Sequence, residues 1–178
     1  MLIIKSIETK NGKQWPEINL SNISTVCVDG PSGSGKSLYF NELINLHFNE
    51  DLFKGNSIVY IPQVPSTFNG SIKDNITLYR NFSEKRLELL CGKLNFSHID
   101  LQAKIYDKGL PLSGGELQRL VVIRALLCQP DIIIADETTS AMDLELALSV
   151  HKELMSNSSV FLFSSHHDKL KALSDIRI

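Results

Sequence analysis

No stretch of this 178-residue sequence stays apolar for the roughly 20 residues that a helix needs to cross a bilayer. Charge of a single sign is equally scarce. The formal net charge is -2 and no block of lysine and arginine stands out, so neither a nucleic-acid footprint nor a polybasic membrane anchor is present. Cys27, Cys91 and Cys128 lie too far apart for metal-ligand spacing and read as small buried hydrophobes of a reducing compartment. Internal repeats and low-complexity linkers are missing. The N-terminus lacks the apolar run of a signal peptide, because Lys5 and Glu8 break up the patch from Leu2 to Ile7. Together these absences predict a soluble, cytosolic chain that would act at a membrane only by docking. Hydrophobic residues make up 43%, enough for one domain with a full core.

The apolar pattern alternates between two periods. Leu2–Ile7 and Ser24–Val28 read as strands. Leu38 to Phe48 carries Leu38, Leu43, Ile44 and Leu46 at helical spacing. Ser57–Ile61 is a further strand, stopped by Pro62. From about 66 to 111 the chain is mixed, with Leu87, Leu89, Leu90 and Leu94 in a helical pattern, and reads as a small helical lobe. Leu117 to Leu127 is a strongly apolar helix. Ile132 to Ala135 is apolar without a break, as expected of a parallel strand covered on both faces. A helix over Leu144 to Met155 and a buried strand over Val160–Phe163 follow. Strands alternating with helices predict an α/β fold with a mostly parallel sheet flanked by helices. One domain then spans 1–178, with 1–65 and 112–178 as its core.

Three segments carry chemistry. Gly30-Pro31-Ser32-Gly33-Ser34-Gly35-Lys36-Ser37, continued by Leu38, sits between a strand and a helix. Its glycines let the backbone turn tightly and approach phosphate oxygens, and the helix N-terminus behind them attracts anions. Lys36 supplies a point charge for β and γ phosphates, and Ser37 a hydroxyl for Mg²⁺. The apolar run ends in Asp136-Glu137. Neighbouring side chains at a strand end point to different sides. One can therefore face a metal and the other a water. Finally, Leu112-Ser113-Gly114-Gly115-Glu116 is a capping box opening a helix, itself an anion-binding end.

In this order the three segments resemble the Walker A loop, the signature sequence and the Walker B strand of an ATP-binding cassette (ABC) ATPase. The resemblance runs from the first strand to His167 and extends past the signature through Gln118, Arg119 and Arg124-Ala125-Leu126. It implies a P-loop NTPase fold with a small helical lobe and a reduced antiparallel β subdomain. It implies ATP and Mg²⁺ as cofactors and a second ABC ATPase chain, identical or different, as partner. It assigns Asp136 to the metal and Glu137 to polarising the water. Each ATP would then lie between the loop of one chain and Ser113, Gly114, Gly115 and Glu116 of the other. Gln63 matches the Q-loop, a contact to Mg²⁺ and the attacking water. Ser140-Ala141-Met142-Asp143 resembles the D-loop, which brings Asp143 to the nucleotide site, with Met142 where leucine is more usual. Val160 to His167 resembles the last strand and H-loop; His166 is favoured over His167 as the histidine that holds Glu137 and the water in line. Trp15 is the upstream candidate for stacking on adenine, with packing near Pro16 as its alternative.

Phe68-Asn69-Gly70-Ser71-Ile72, Asn75-Ile76 and Tyr106-Asp107-Lys108-Gly109 resemble segments of exporter-type cassettes. The implied activity is ATP hydrolysis that powers a transmembrane transporter domain, docked near Gln63 and the lobe at the cytoplasmic face of the membrane. No nucleic acid is expected as partner. A non-transport cassette ATPase and an ATP-gated module with little turnover are the alternatives. Three parts depart from the family: the stretch before Gln63 is short, the chain stops at Ile178, soon after the H-loop, and Trp15 lies closer to the loop than the stacking aromatic usually does.

Overall fold

A computed structural model describes residues 2–106 and 112–178. The chain opens with four two-residue strands, β1 (Ile3–Ile4), β2 (Ile7–Glu8), β3 (Gln14–Trp15) and β4 (Ile18–Asn19). They form two antiparallel pairs, β1 with β4 and β2 with β3. The single strand expected over Leu2–Ile7 is thus two. Ile4 and Ile7 both face inward with exposed Lys5 and Ser6 between them. A spacing of three breaks the period of two that a continuous strand requires.

Next come β5 (Thr25–Cys27), α1 (Lys36–Glu50), β6 (Ile58–Ile61), β7 (Gly70–Ser71), α2 (Ile72–Thr77), α3 (Glu84–Lys93) and β8 (Lys104–Ile105). The second half holds α4 (Gly114–Leu127), β9 (Ile132–Asp136), α5 (Leu144–Ser156), β10 (Val160–Ser164), α6 (Asp168–Lys171) and β11 (Ile176–Arg177). Five strands build one parallel sheet in the order β11-β5-β10-β9-β6. Both faces are covered, and the strand residues divide by parity. Cys27, Ile133, Ala135, Phe161 and Phe163 join an apolar cluster with α4 and α5. Val26, Val28, Ile132, Ile134 and Leu162 join another with Tyr39, Phe40 and Leu43 of α1 and with the N-terminal strands. Each buried Val, Ile, Leu or Phe among them contributes about 1.5–3 kcal/mol by leaving water.

Between β6 and α4 the expected helical lobe holds α2, α3 and a two-stranded ladder of β7 with β8. Its Ile72, Ile76, Leu87 and Leu90 belong to the same cluster as Leu120 to Leu127, so it shares the core of the main sheet. Asn75, fully buried, bonds both the N–H and the C=O of Phe68, at 2.9 Å each. The stretch from Phe68 to Ile76 is thereby one folded unit. Arg124 of α4 donates to the carbonyls of Asn75 at 2.8 Å and Ser66 at 3.2 Å, tying that unit to the core. Tyr106 is exposed, and the rest of the Tyr106–Gly109 resemblance falls outside the described residues. The chain end adds two elements absent from the sequence reading, α6 and β11. The Asp175 carboxylate accepts from the N–H groups of Ser24 and Thr25 at 2.8 and 2.9 Å, which seats β11 beside β5.

Candidate nucleotide site

The loop from Gly30 to Lys36 closes on itself. Gly30, Gly33 and Gly35 have φ of +139°, +77° and +92°, a region that favours glycine. At two of them a Cβ would also press on a side-chain end, 2.7 Å from Ser34 Oγ at Gly30 and 2.7 Å from Asn11 Nδ2 at Gly35. Gly35 is the N-cap of α1 with no side-chain cap, so the first N–H groups of the helix stay available to an anion. The Lys36 ammonium folds back and donates to the carbonyls of Gly30 at 2.9 Å and Pro31 at 3.1 Å. A cavity of about 240 Å³ opens here, lined by Ser32, Gly33, Gly35 through Leu38, Gln63 and Glu137.

Asp136 and Glu137 leave the end of β9 in different directions. Asp136 is buried, and its Oδ1 accepts from Ser164 Oγ at 2.6 Å. Its Oδ2 is buried without a partner. Glu137 is in the left-handed region with φ of 46°. That conformation costs a non-glycine residue about 1–2 kcal/mol and aims the side chain away from its neighbour. Three side chains from separate loops meet its carboxylate: Gln63 Nε2 at 2.9 Å, His166 Nε2 at 2.7 Å and Lys36 Nζ at 3.8 Å. His166, and not the adjacent His167, makes this contact; His167 caps the short α6. Ser164 also accepts from the Glu137 N–H at 3.0 Å, so one hydroxyl holds the Asp136 carboxylate and the Glu137 backbone together.

The signature segment forms the expected capping box. Glu116 Oε2 accepts from the Ser113 N–H and Oγ at 2.7 Å each, and the Glu116 N–H donates to Ser113 Oγ at 3.3 Å. These bonds, with a third from His98, hold the Glu116 carboxyl down at about 2. Gly115 packs on the loop at Ala141, where a Cβ would lie 2.8 Å from the carbonyl oxygen. Gln118 fastens that loop from the other side, donating to Ser140 Oγ at 3.0 Å and accepting from the Ala141 N–H at 2.9 Å. Asp143 N-caps α5, accepting from the Leu146 N–H at 2.9 Å. None of Ser113, Gly114, Gly115 and Glu116 is among the residues lining the 240 Å³ cavity.

Trp15 corrects the sequence reading. Its ring is 1% exposed, with Tyr39 stacked on it at 4.8 Å between centroids. Lys13 Nζ stands 3.6 Å from the ring centroid. No open face is left for a base, and the packing alternative describes the residue. Pairing of β3 with β2 sets Trp15 opposite Ile7, on the buried side. Ser164 and Gln118 carry no role in the sequence motifs. The serine that closes β10 and the glutamine one turn into α4 carried the only signal for them.

The ABC transporter family model matches residues 16–140. Among curated relatives, the mitochondrial ATP-dependent permease MDL2 of Saccharomyces cerevisiae is 34% identical, covering 81% of this chain and 22% of its own. The mitochondrial ATP-dependent permease MDL1 of the same yeast is 36% identical, over 72% of this chain and 22% of its own. The fold is similar to a bacterial Atm1-family ABC exporter solved with ATP bound, with a TM-score of 0.72, 24% identity, and coverage of 87% of this chain and 32% of that one. The chain thus spans less than a quarter of either permease. Motifs, fold and relatives agree: the chain belongs to the ABC transporter family.

Proposed function

We propose that this chain binds and hydrolyses Mg·ATP as one half of a two-chain ATPase, and that opening and closing of the pair drives a membrane transporter domain. The observation that carries this reading is the convergence of Gln63, His166 and Lys36 on the Glu137 carboxylate at the wall of the phosphate-loop cavity. The triphosphate would lie against the N–H groups of residues 33–37, and its negative charge would draw Lys36 Nζ off the Gly30 and Pro31 carbonyls. Asp136 Oδ2, buried and unpartnered, and Ser37 Oγ fit a divalent cation. A bound Mg²⁺ would neutralise charge on the β and γ phosphates. Glu137 then polarises the attacking water, while His166 and Gln63 fix the carboxylate and water in line.

Ser113, Gly114 and Gly115 form a helix N-terminus with no place in their own chain's cavity. In a second chain they complete the site from across the γ-phosphate. A groove of about 280 Å³ beside Gln63, lined by Tyr60, Ile61, Pro62, Leu78, Val121 and Ala125, supports docking of the membrane partner there. Exposed Val64, Leu78 and Tyr79 extend its apolar character. The permease and exporter names of the relatives support the same partner. The test is Glu137→Gln. Turnover should drop by more than about hundredfold while ATP binding persists; unchanged hydrolysis would overturn the reading.

A further inference from the structure

The turn between β2 and β3 touches the phosphate loop at two places. The Asn11 amide abuts Gly35, and Lys13 Nζ lies 3.9 Å from where a Cβ on Gly30 would stand. The turn is internally braced. The Lys13 carbonyl accepts from the Thr9 N–H at 3.0 Å and Thr9 Oγ1 at 3.1 Å, and the Thr9 carbonyl accepts from the Gly12 N–H at 2.7 Å. Lys13 Nζ rests on the face of the buried Trp15 ring, a favourable seat for an ammonium.

Among the described residues no carboxylate pairs with Lys13. Asp29, just before Gly30, is taken by Lys171 at 2.7 Å and by the Gly30 N–H at 2.7 Å. The charge that acts on Lys13 is instead that of Lys36, which adds to burial in lowering its pKa. Ser34 Oγ, buried and without a partner, faces the same side of Gly30. Two cations that repel each other and an unused hydroxyl thus border one short loop. A polyphosphate against that loop relieves the repulsion.

We propose that Lys13 is a second phosphate-binding cation of the nucleotide site, seated on Trp15 and reaching the phosphate chain beside Gly30. The proposal rests on the nucleotide-binding reading above. It also assigns specificity. The upstream aromatic supports a lysine and not a base, so the site takes nucleoside triphosphates by their phosphate charge and discriminates weakly between bases.

Displacement of a fluorescent triphosphate nucleotide by ATP, GTP and inorganic tripolyphosphate tests both parts, on the wild-type chain and on Lys13→Met, Lys13→Arg and Lys36→Met. Lys13→Met should weaken all three competitors alike, by about tenfold, the loss of one charge-assisted contact. Lys13→Arg should stay within about threefold of wild type, and wild type should bind ATP and GTP within about threefold of each other. Wild-type affinities in Lys13→Met would overturn the proposal, whether or not its melting temperature falls. So would a wild-type preference for ATP over GTP of more than about tenfold. Nucleotide binding that Lys36→Met leaves untouched would instead remove the site reading itself.

Discussion

Mild acid should destabilise this protein through one histidine. His151 on α5 is 2% exposed and packs edge-on against Phe161 and Phe163, at 5.4 and 4.8 Å between centroids. Its Nε2 lies 3.3 Å from Thr139 Oγ1 and its Nδ1 has no partner. Burial, with a smaller push from His167, takes its pKa from 6.5 down to about 4. Above about pH 6.5 the ring is neutral folded and unfolded, and its contribution to stability is fully present. As pH falls toward 4, the unfolded chain takes up a proton that the folded core refuses. Below that value both states are protonated and the loss levels off. The whole shift amounts to about 3 kcal/mol, of which about 1 kcal/mol is already lost at pH 5.5. Urea unfolding at pH 7.5 and 5.5 would measure it, on wild type and on His151→Leu. The wild type should lose about 1 kcal/mol across that interval and the variant should be nearly flat. A flat wild type, or equal slopes in both proteins, would refute the reasoning.

Other outcomes follow from the same packing. Gly115→Ala should force the loop at Ala141 to move, lowering stability by about 1–3 kcal/mol and turnover to below about a tenth, with ATP binding kept; unaltered turnover would show that Gly115 does not set that loop. Ser164→Ala removes the hydroxyl shared by Asp136 and Glu137 and should cost about 1–3 kcal/mol in denaturant unfolding, alongside a fall in ATPase rate. Phe163→Ala, inside the sheet, should cost about 3–5 kcal/mol, and a loss below about 1 would contradict its placement. Val64→Glu, on the exposed apolar rim by Gln63, should leave ATPase activity in solution intact and abolish co-purification with the proposed membrane partner.

Much of the fold was legible because the strong signals are local. The unbroken apolar run at Ile132–Ala135 announces a strand buried on both faces, and it is one. The spacing of Ser113 and Glu116 announces a helix start, and α4 opens there. The misses share a cause. Whether Leu2–Ile7 is one strand or two depends on its partners at residues 14–19, which periodicity cannot see. Its place upstream of the loop suggests Trp15 as a platform, but its pairing with Ile7 turns the ring inward. Ser164 belongs to the site because β10 lies in register with β9 and brings it level with Asp136. Lys13 is invisible to motif reading, since only the fold of the β2–β3 turn carries it to Gly30.

The position of β5 in the sheet has a temporal consequence. This strand delivers the phosphate loop, yet its two neighbours, β10 and β11, follow every other strand of the sheet in chain order. Pairings between such distant segments form late, after the loop-closure entropy has been met. On a ribosome, the phosphate-loop residues would emerge well before β10 and β11 and stay unformed until those strands arrive. Nucleotide would then act as a ligand of the finished sheet and not as a template for its assembly. Pulse proteolysis of stalled nascent chains ending before Val160 would check this: protection by ATP at that length would mean that the loop forms without its neighbours.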